Sequence, residues 1–125
     1  MSQFGADHDR ISVEFLRRSR EYLAQGELLQ ASEKGWGAAA HAAKSYAATR
    51  QLQYNHHEQL NDLITEMRLE THIDLVREWH INANKLHSNF YDDNLDALTI
   101  AIYLDDVAKI VNLIRQLTGQ LPVDC

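Results

Sequence analysis

Cysteine and proline are almost absent from this chain of 125 residues: Cys125 is the only cysteine and Pro122 the only proline. A single cysteine at the last position excludes a disulfide framework within the chain. With only five glycines besides, the sequence has little turn chemistry, which favours helix over sheet. No apolar run approaches the roughly 20 residues that cross a bilayer, and residues 1–10 lack the pattern of an export signal. We therefore expect a cytoplasmic protein with no membrane association.

Small residues dominate one segment in the first half of the chain. Ten of the eighteen residues from Ala31 to Ala48 are glycine or alanine, and two large rings, Trp36 and Tyr46, interrupt them. A helix with so little side-chain cover lets its neighbours approach to the short end of the roughly 8–10 Å interaxial range. The segment is therefore predicted to be the buried central helix of a helical bundle.

The spacing of apolar residues predicts an all-α, antiparallel up-and-down bundle of four to five helices in one domain. Residues 1–8 are expected to be a flexible N-terminus, residues 9–118 the domain, and residues 119–125 a C-terminal tail. The predicted helices begin near Asp9, Leu28, Asn55, Thr71 and Asn94.

Capping signals set several of these boundaries. Asp7 or Asp9 is expected to cap the first helix, and Gly26 to turn the chain into the second. Capping boxes are predicted at Asn55 with Glu58 and at Thr71 with Asp74, and the last helix is expected to be capped by a residue of the set Asp92, Asp93 and Asn94.

Acidic residues exceed basic ones only in the second part of the chain. Residues 1–50 carry seven Lys or Arg and six Asp or Glu, whereas residues 51–125 carry five and twelve. This distribution is not the uniformly basic footprint of a nucleic-acid-binding domain, so we expect no sequence-specific DNA binding. The apolar stripe of the last helix is wide, which favours a homodimer.

The seven histidines do not form a metal-binding pattern. His80 and His87 lie seven residues apart on one helix, about 10.5 Å of rise, which is too far for two ligands of one zinc ion. No Glu-x-x-His pair occurs, which disfavours a di-iron bundle. His56 and His57 would need further ligands that the sequence does not identify, so we predict neither a metal nor a cofactor.

Two segments contain candidate functional residues. Arg50 and His56 are separated by five residues, and an arginine that holds a phosphate beside an imidazole that moves a proton is the minimum set for metal-independent RNA cleavage. A helix-end arginine and a capping histidine give the same pattern. The candidate ligand-binding residues are His57 at the loop-to-helix junction and His87, Asn89 and Tyr91 in the segment LHSNFYD, although Asn89 is equally suited to capping a helix end.

Four segments together resemble the HEPN superfamily, in particular its small prokaryotic PaREP branch. They are Gly26–Ala31, Ser32–Lys44, His56 or His57 before Leu60, and Leu86–Asp92. The resemblance implies an antiparallel bundle of about five helices that commonly dimerises. Active ribonucleases of the superfamily use an arginine and a histidine four to six residues apart, which Arg50 and His56 match in spacing, while Gln51 replaces the polar residue that commonly follows the arginine. Many members resemble non-catalytic binding modules or toxin–antitoxin components.

Three functions follow as hypotheses. The first is a non-catalytic HEPN-like homodimer that binds a partner protein, a nucleotide or RNA. The second is a metal-independent ribonuclease that uses Arg50 and His56. The third is a tetratricopeptide-like peptide binder, suggested by Tyr22, Gly26 and Ala31 at the first helical hairpin.

Overall fold

A computed structural model describes residues 2–53 and 59–123. In these residues the chain forms five α-helices and no strand, which confirms the predicted all-α bundle. The helices are α1 (Gln3–Ala24), α2 (Leu28–Arg50), α3 (Gln59–Thr71), α4 (Leu75–Asp92) and α5 (Ala97–Leu117).

Helix α2 is the centre of the bundle and contacts each of the other four helices. Its twelve buried residues are all glycine, alanine or serine except Tyr46, which is 1% exposed. Trp36, the other large ring in the segment, is only partly buried. The small-residue run therefore gives the central helix predicted from the sequence.

Gly35 marks the closest packing against α2. A Cβ atom at this position would lie 2.3 Å from a methyl carbon of Leu104 on α5 and 3.1 Å from one of Leu86 on α4. Both leucines are fully buried. Helices α4 and α5 can pack so closely on α2 only because residue 35 has no side chain.

Ion pairs between α1 and α5 close the bundle. Asp9 contacts Arg115 at 2.6 Å, and Arg20 contacts Asp105 at 2.7 Å. Because residue numbers rise along one helix as they fall along the other, the two helices run antiparallel. The first and last helices are in contact, whereas in an open solenoid each repeat packs only on its neighbours. This contact disfavours the tetratricopeptide hypothesis.

Helix α1 begins six residues before the predicted start. The hydroxyl of Ser2 accepts a hydrogen bond from the backbone N–H of Gly5 and caps the helix, so residues 3–8 are helical. Neither aspartate predicted as the cap has that role. Asp7 pairs with Arg10 on the helix surface, and Asp9 pairs with Arg115.

The boundaries of α4 and α5 also differ from the prediction. Thr71 ends α3 instead of opening α4, because its hydroxyl donates to the carbonyl of Met67 and His72 follows in a left-handed conformation. The cap of α5 is Asp96, which accepts from the N–H of Thr99, rather than a residue of the set 92–94. The capping box predicted at Asn55 and Glu58 lies outside the described residues.

The described part of the C-terminal tail folds back along α5. The guanidinium of Arg115 donates to the carbonyl of Leu121, and the amide of Asn112 both donates to the carbonyl of Val123 and accepts from its N–H. The tail is therefore fixed to the bundle up to residue 123.

Two histidines join the first turns of α1 to the middle of α2. The Nδ1 atoms of His8 and His41 lie 2.7 Å apart, and the rings are stacked. One ring must donate and the other accept, so at least one of them is neutral. Burial, reinforced by the nearby charge of His8 and of two lysines, lowers the pKa of His41 from 6.5 to about 4.

We predict that substitution of Gly35 by alanine destabilises the protein by about 1–3 kcal/mol, because the new methyl group overlaps the buried side chain of Leu104. The higher helix propensity of alanine offsets only part of this loss. Urea unfolding measures the change. In a Leu104→Ala background the overlap with Leu104 is gone and only the tight contact with Leu86 remains, so the same substitution should cost much less. Equal destabilisation in both backgrounds would contradict the packing explanation.

We also predict that the fold loses stability as the pH falls from about 6.5 to about 4. The pKa of His41 is lower in the folded state, so the unfolded state binds more protons in this range and stability is lost as the pH falls through it. The ring is half-buried, which limits the loss to about 1–2 kcal/mol. Urea unfolding across this range should show that His41→Gln removes this share of the acid sensitivity, whereas His72→Gln, on the exposed α3–α4 turn, retains it. Unchanged acid sensitivity in His41→Gln would contradict the assignment.

Candidate functional site

Arg50, the predicted phosphate-binding residue, is engaged in an ion pair at the end of α2. Its Nε and Nη2 atoms contact the two carboxylate oxygens of Glu70 at 2.8 and 2.5 Å, and Nη2 also donates to the carbonyl of Leu117. Tyr46 donates its hydroxyl to the same carboxylate, and its pKa is raised to about 12, chiefly by burial. These contacts tie α2 to α3 and to the end of α5, a structural role for the guanidinium.

His56 and His57, the predicted catalytic and ligand-binding histidines, lie outside the described residues. The pairing of Arg50 with His56 therefore stays a prediction.

Asn89, a predicted ligand-binding residue, is 1% exposed and has three hydrogen bonds within the fold. Its amide nitrogen donates to the hydroxyl of Ser32 on α2, and its amide oxygen accepts from the N–H groups of Asn94 and Leu95. The side chain therefore fixes the α4–α5 connection to the central helix. Asn89 thus has the helix-capping role that the sequence also allowed, in which it is buried within the fold.

His87 and Tyr91 lie together on the surface between α2 and α4. The imidazole of His87 stacks on Trp36 at a centroid distance of 4.2 Å, meets the ring of Tyr91 edge-on, and has Nδ1 3.3 Å from the carboxylate of Glu33. Tyr91 is 73% exposed. The structure thus brings two of the predicted ligand-binding residues together and gives them an aromatic neighbour on α2.

A polar cleft between α3 and α4 is the site that the sequence analysis missed. It has a volume of about 320 Å³, and each helix lines it with four side chains. Helix α3 provides Asn61, Ile64, Thr65 and Arg68, and helix α4 provides Arg77, His80, Ile81 and Asn84. We refer to it as the α3–α4 cleft.

The α3–α4 cleft carries positive charge. Two arginines line it, and no carboxylate does. Asp74, just outside, lies 3.3 Å from Arg68, but this aspartate is 91% exposed, so the ion pair contributes little. The Nε atom of Arg68 is buried and has no hydrogen-bond partner in the described part of the chain. A buried guanidinium N–H without an acceptor is costly, and the two guanidinium groups that line the cleft offer hydrogen-bond donors to an anion.

His80 forms the inner wall of the cleft as a neutral imidazole. The residue is 7% exposed, and burial lowers the pKa of its ring. Its Nε2 atom is 3.2 Å from the amide nitrogen of Asn84. Because an amide nitrogen can only donate, Nε2 accepts and the proton resides on Nδ1. His80 and Asn84 also line a void of about 10 Å³ beside Trp36. The cleft therefore lies next to the stacked rings of Trp36 and His87.

The polar residues of the cleft have a helical spacing that can be found in the sequence. Asn61, Thr65 and Arg68 lie four and three residues apart, and Arg77, His80 and Asn84 lie three and four apart. Each set therefore occupies one helix face. The sequence does not show that the two faces meet, because their meeting depends on the turn at residues 72–74.

In residues 2–53 and 59–123, no three His, Cys, Asp or Glu side chains come together as possible ligands of a metal ion. None of the five described helices combines the length and apolar composition of a membrane span.

The fold and the cleft define an all-α bundle with a cationic groove between two of its helices. The sequence profile described as the archaeal PaREP1/PaREP8 family matches residues 8–111, and the chain belongs to this family. No curated protein and no solved structure matches the chain significantly.

Proposed function

We propose that this protein is a non-catalytic binding module of the HEPN type that acts as a homodimer and binds a phosphate-bearing ligand, a nucleotide or RNA, in the α3–α4 cleft. The observation that carries the proposal is the pair of arginines, Arg68 and Arg77, in a cleft without a carboxylate. Planar guanidinium groups match phosphate oxygens with paired hydrogen bonds.

The other groups of the cleft suit the same class of ligand. The amides of Asn61 and Asn84 can donate to and accept from sugar and base groups, and the hydroxyl of Thr65, which donates its hydrogen to the carbonyl of Asn61, can accept. Beyond Asn84 on the same helix, His87 and Tyr91 present aromatic rings beside Trp36. Aromatic faces next to a cationic groove are the usual means of binding single-stranded nucleic acid.

The ribonuclease hypothesis has less support from the described residues. Arg50 would have to leave its paired contacts with Glu70 before it could hold a phosphate. A neutral histidine beside arginines is present in the cleft, but it is His80, and its Nε2 atom already accepts from Asn84. We therefore prefer binding without chemistry.

We predict that Arg77→Gln weakens the binding of a short fluorescein-labelled RNA by about tenfold or more, measured by fluorescence anisotropy in excess chelator. The slope of log K against log salt should fall by about 0.7, the share of one phosphate contact in a single strand. Arg10→Gln, which removes an exposed arginine on α1, is the matched control and should leave both quantities nearly unchanged.

Unlabelled AMP should compete with the RNA if the cleft recognises the phosphate and one nucleoside. Equal affinities for the wild type and Arg77→Gln, or no binding of either ligand, would contradict the proposal and favour a partner protein, as in a toxin–antitoxin pair. Cleavage of the RNA by the wild type but not by His56→Ala would instead establish the ribonuclease.

The homodimer part of the proposal is supported by the exposed end of α5. Leu98 and Ile102 lie four residues apart and are 72% and 51% exposed, whereas Leu104 and Val111 on the same helix are buried within the chain. Contiguous exposed apolar surface marks protein–protein interfaces more often than isolated apolar side chains do.

We predict a dimer mass in native mass spectrometry, and a shift towards the monomer for Ile102→Lys, because a charge at an apolar interface is costly. Gln30→Lys adds the same charge at an exposed position of α2 and is the control. A wild-type monomer, or a dimer that Ile102→Lys leaves intact, would contradict an interface on this part of α5.

A further inference from the structure

A second groove lies on the opposite side of α4, between this helix, α5, the end of α1 and the C-terminal tail. Its volume is about 690 Å³, within the roughly 300–1,000 Å³ of small-molecule sites. Six of the residues that line it follow residue 111, where the family match ends: Asn112, Leu113, Gln116, Gln120, Pro122 and Val123. The groove is thus in large part outside the matched region.

The charged groups of this groove favour an anion with a single charge. Arg20 and Lys109 line it, and Asp105 is the one carboxylate among its lining residues, which leaves one net positive charge in the lining. Lys109 also lies 3.5 Å from Asp106 beside the groove, but the side chain of Lys109 is 57% exposed, so this ion pair is weak. Asp105 is occupied by the Nη2 atom of Arg20 at 2.7 Å. The Nε atom of Arg20 is buried and has no acceptor among the described residues.

The uncharged walls of the groove favour a flat apolar body. Trp79 provides an indole on the α4 side, and Lys109 lies 6.0 Å from the centre of that ring. Leu113 and Val123 contribute apolar surface opposite. Val123 is held in place by paired hydrogen bonds to the side chain of Asn112, so the tail is an ordered wall of the groove.

We propose that this groove is a second binding site, for a small planar monoanion such as an aromatic carboxylate or sulfonate. The anionic group is bound by Arg20 and Lys109, and the ring packs against Trp79. The site shares no residue with the α3–α4 cleft. Its existence is therefore independent of the proposed nucleotide or RNA binding.

Naphthalene-2-sulfonate is a suitable probe, and neutral 2-naphthalenemethanol is its matched comparison. The chain has two tryptophans, so a ¹H–¹⁵N spectrum contains two indole signals, which Trp36→Phe assigns. The sulfonate should shift the signal of Trp79 to saturation while that of Trp36 stays in place, and the neutral compound should bind at least about tenfold more weakly.

Arg20→Gln should weaken the binding of the sulfonate by about tenfold or more, whereas Arg18→Gln, an exposed arginine two residues away, should leave it unchanged. Circular dichroism checks that the variant is folded. If it is not, Lys109→Gln provides the test on the exposed rim, with a loss of roughly threefold. No shift of the Trp79 signal at millimolar sulfonate, equal binding of the neutral compound, or full affinity in folded Arg20→Gln and in Lys109→Gln would overturn the proposal.

Discussion

The close approach of α4 and α5 to α2 is the constraint on which the rest of the structure depends. At Gly35 the space of a side chain is taken by methyl groups of Leu104 and Leu86, and the other buried positions of α2 are glycine, alanine or serine apart from Tyr46. The buried side chains of α2 are mostly small, so the large apolar side chains of the neighbouring helices fill the space between the helices. Since interiors are close-packed, each of those neighbours is held at a defined distance and rotation.

Helix α3 is outside this closely packed group. It packs mainly on α4 and has little contact with α2, apart from the apolar stripe Leu60, Leu63, Ile64 and Met67. The remaining faces of α3 and α4 diverge and leave the cleft in which Arg68, Arg77 and His80 meet. The buried Nε of Arg68, which has no hydrogen-bond partner among the described residues, makes this arrangement costly. Charge-assisted hydrogen bonds from the two guanidinium groups to a phosphate-bearing ligand would offset that cost.

Several features were predictable from the sequence because they depend on local pattern. The bounds of α2, Leu28 and Arg50, follow from the turn at Gly26 and from the end of the small-residue run, and the buried stripe of α3 follows from its three-and-four spacing. The predicted start of α1, near Asp9, was wrong. Ser2 caps the helix earlier, and its first turn has no apolar periodicity that would indicate this start. Contacts between distant residues could not be read in the same way. Arg50 has its partner twenty residues away, and the two faces of the cleft meet only through the turn at His72.

We propose that the ligand of this protein binds in the α3–α4 cleft, beside the closely packed core around α2. A crystal structure of the protein grown with AMP tests this most directly. We expect phosphate density within hydrogen-bond distance of the guanidinium groups of Arg68 and Arg77, with the helices of the core unmoved. Density for AMP at another surface, with an empty α3–α4 cleft, would contradict it.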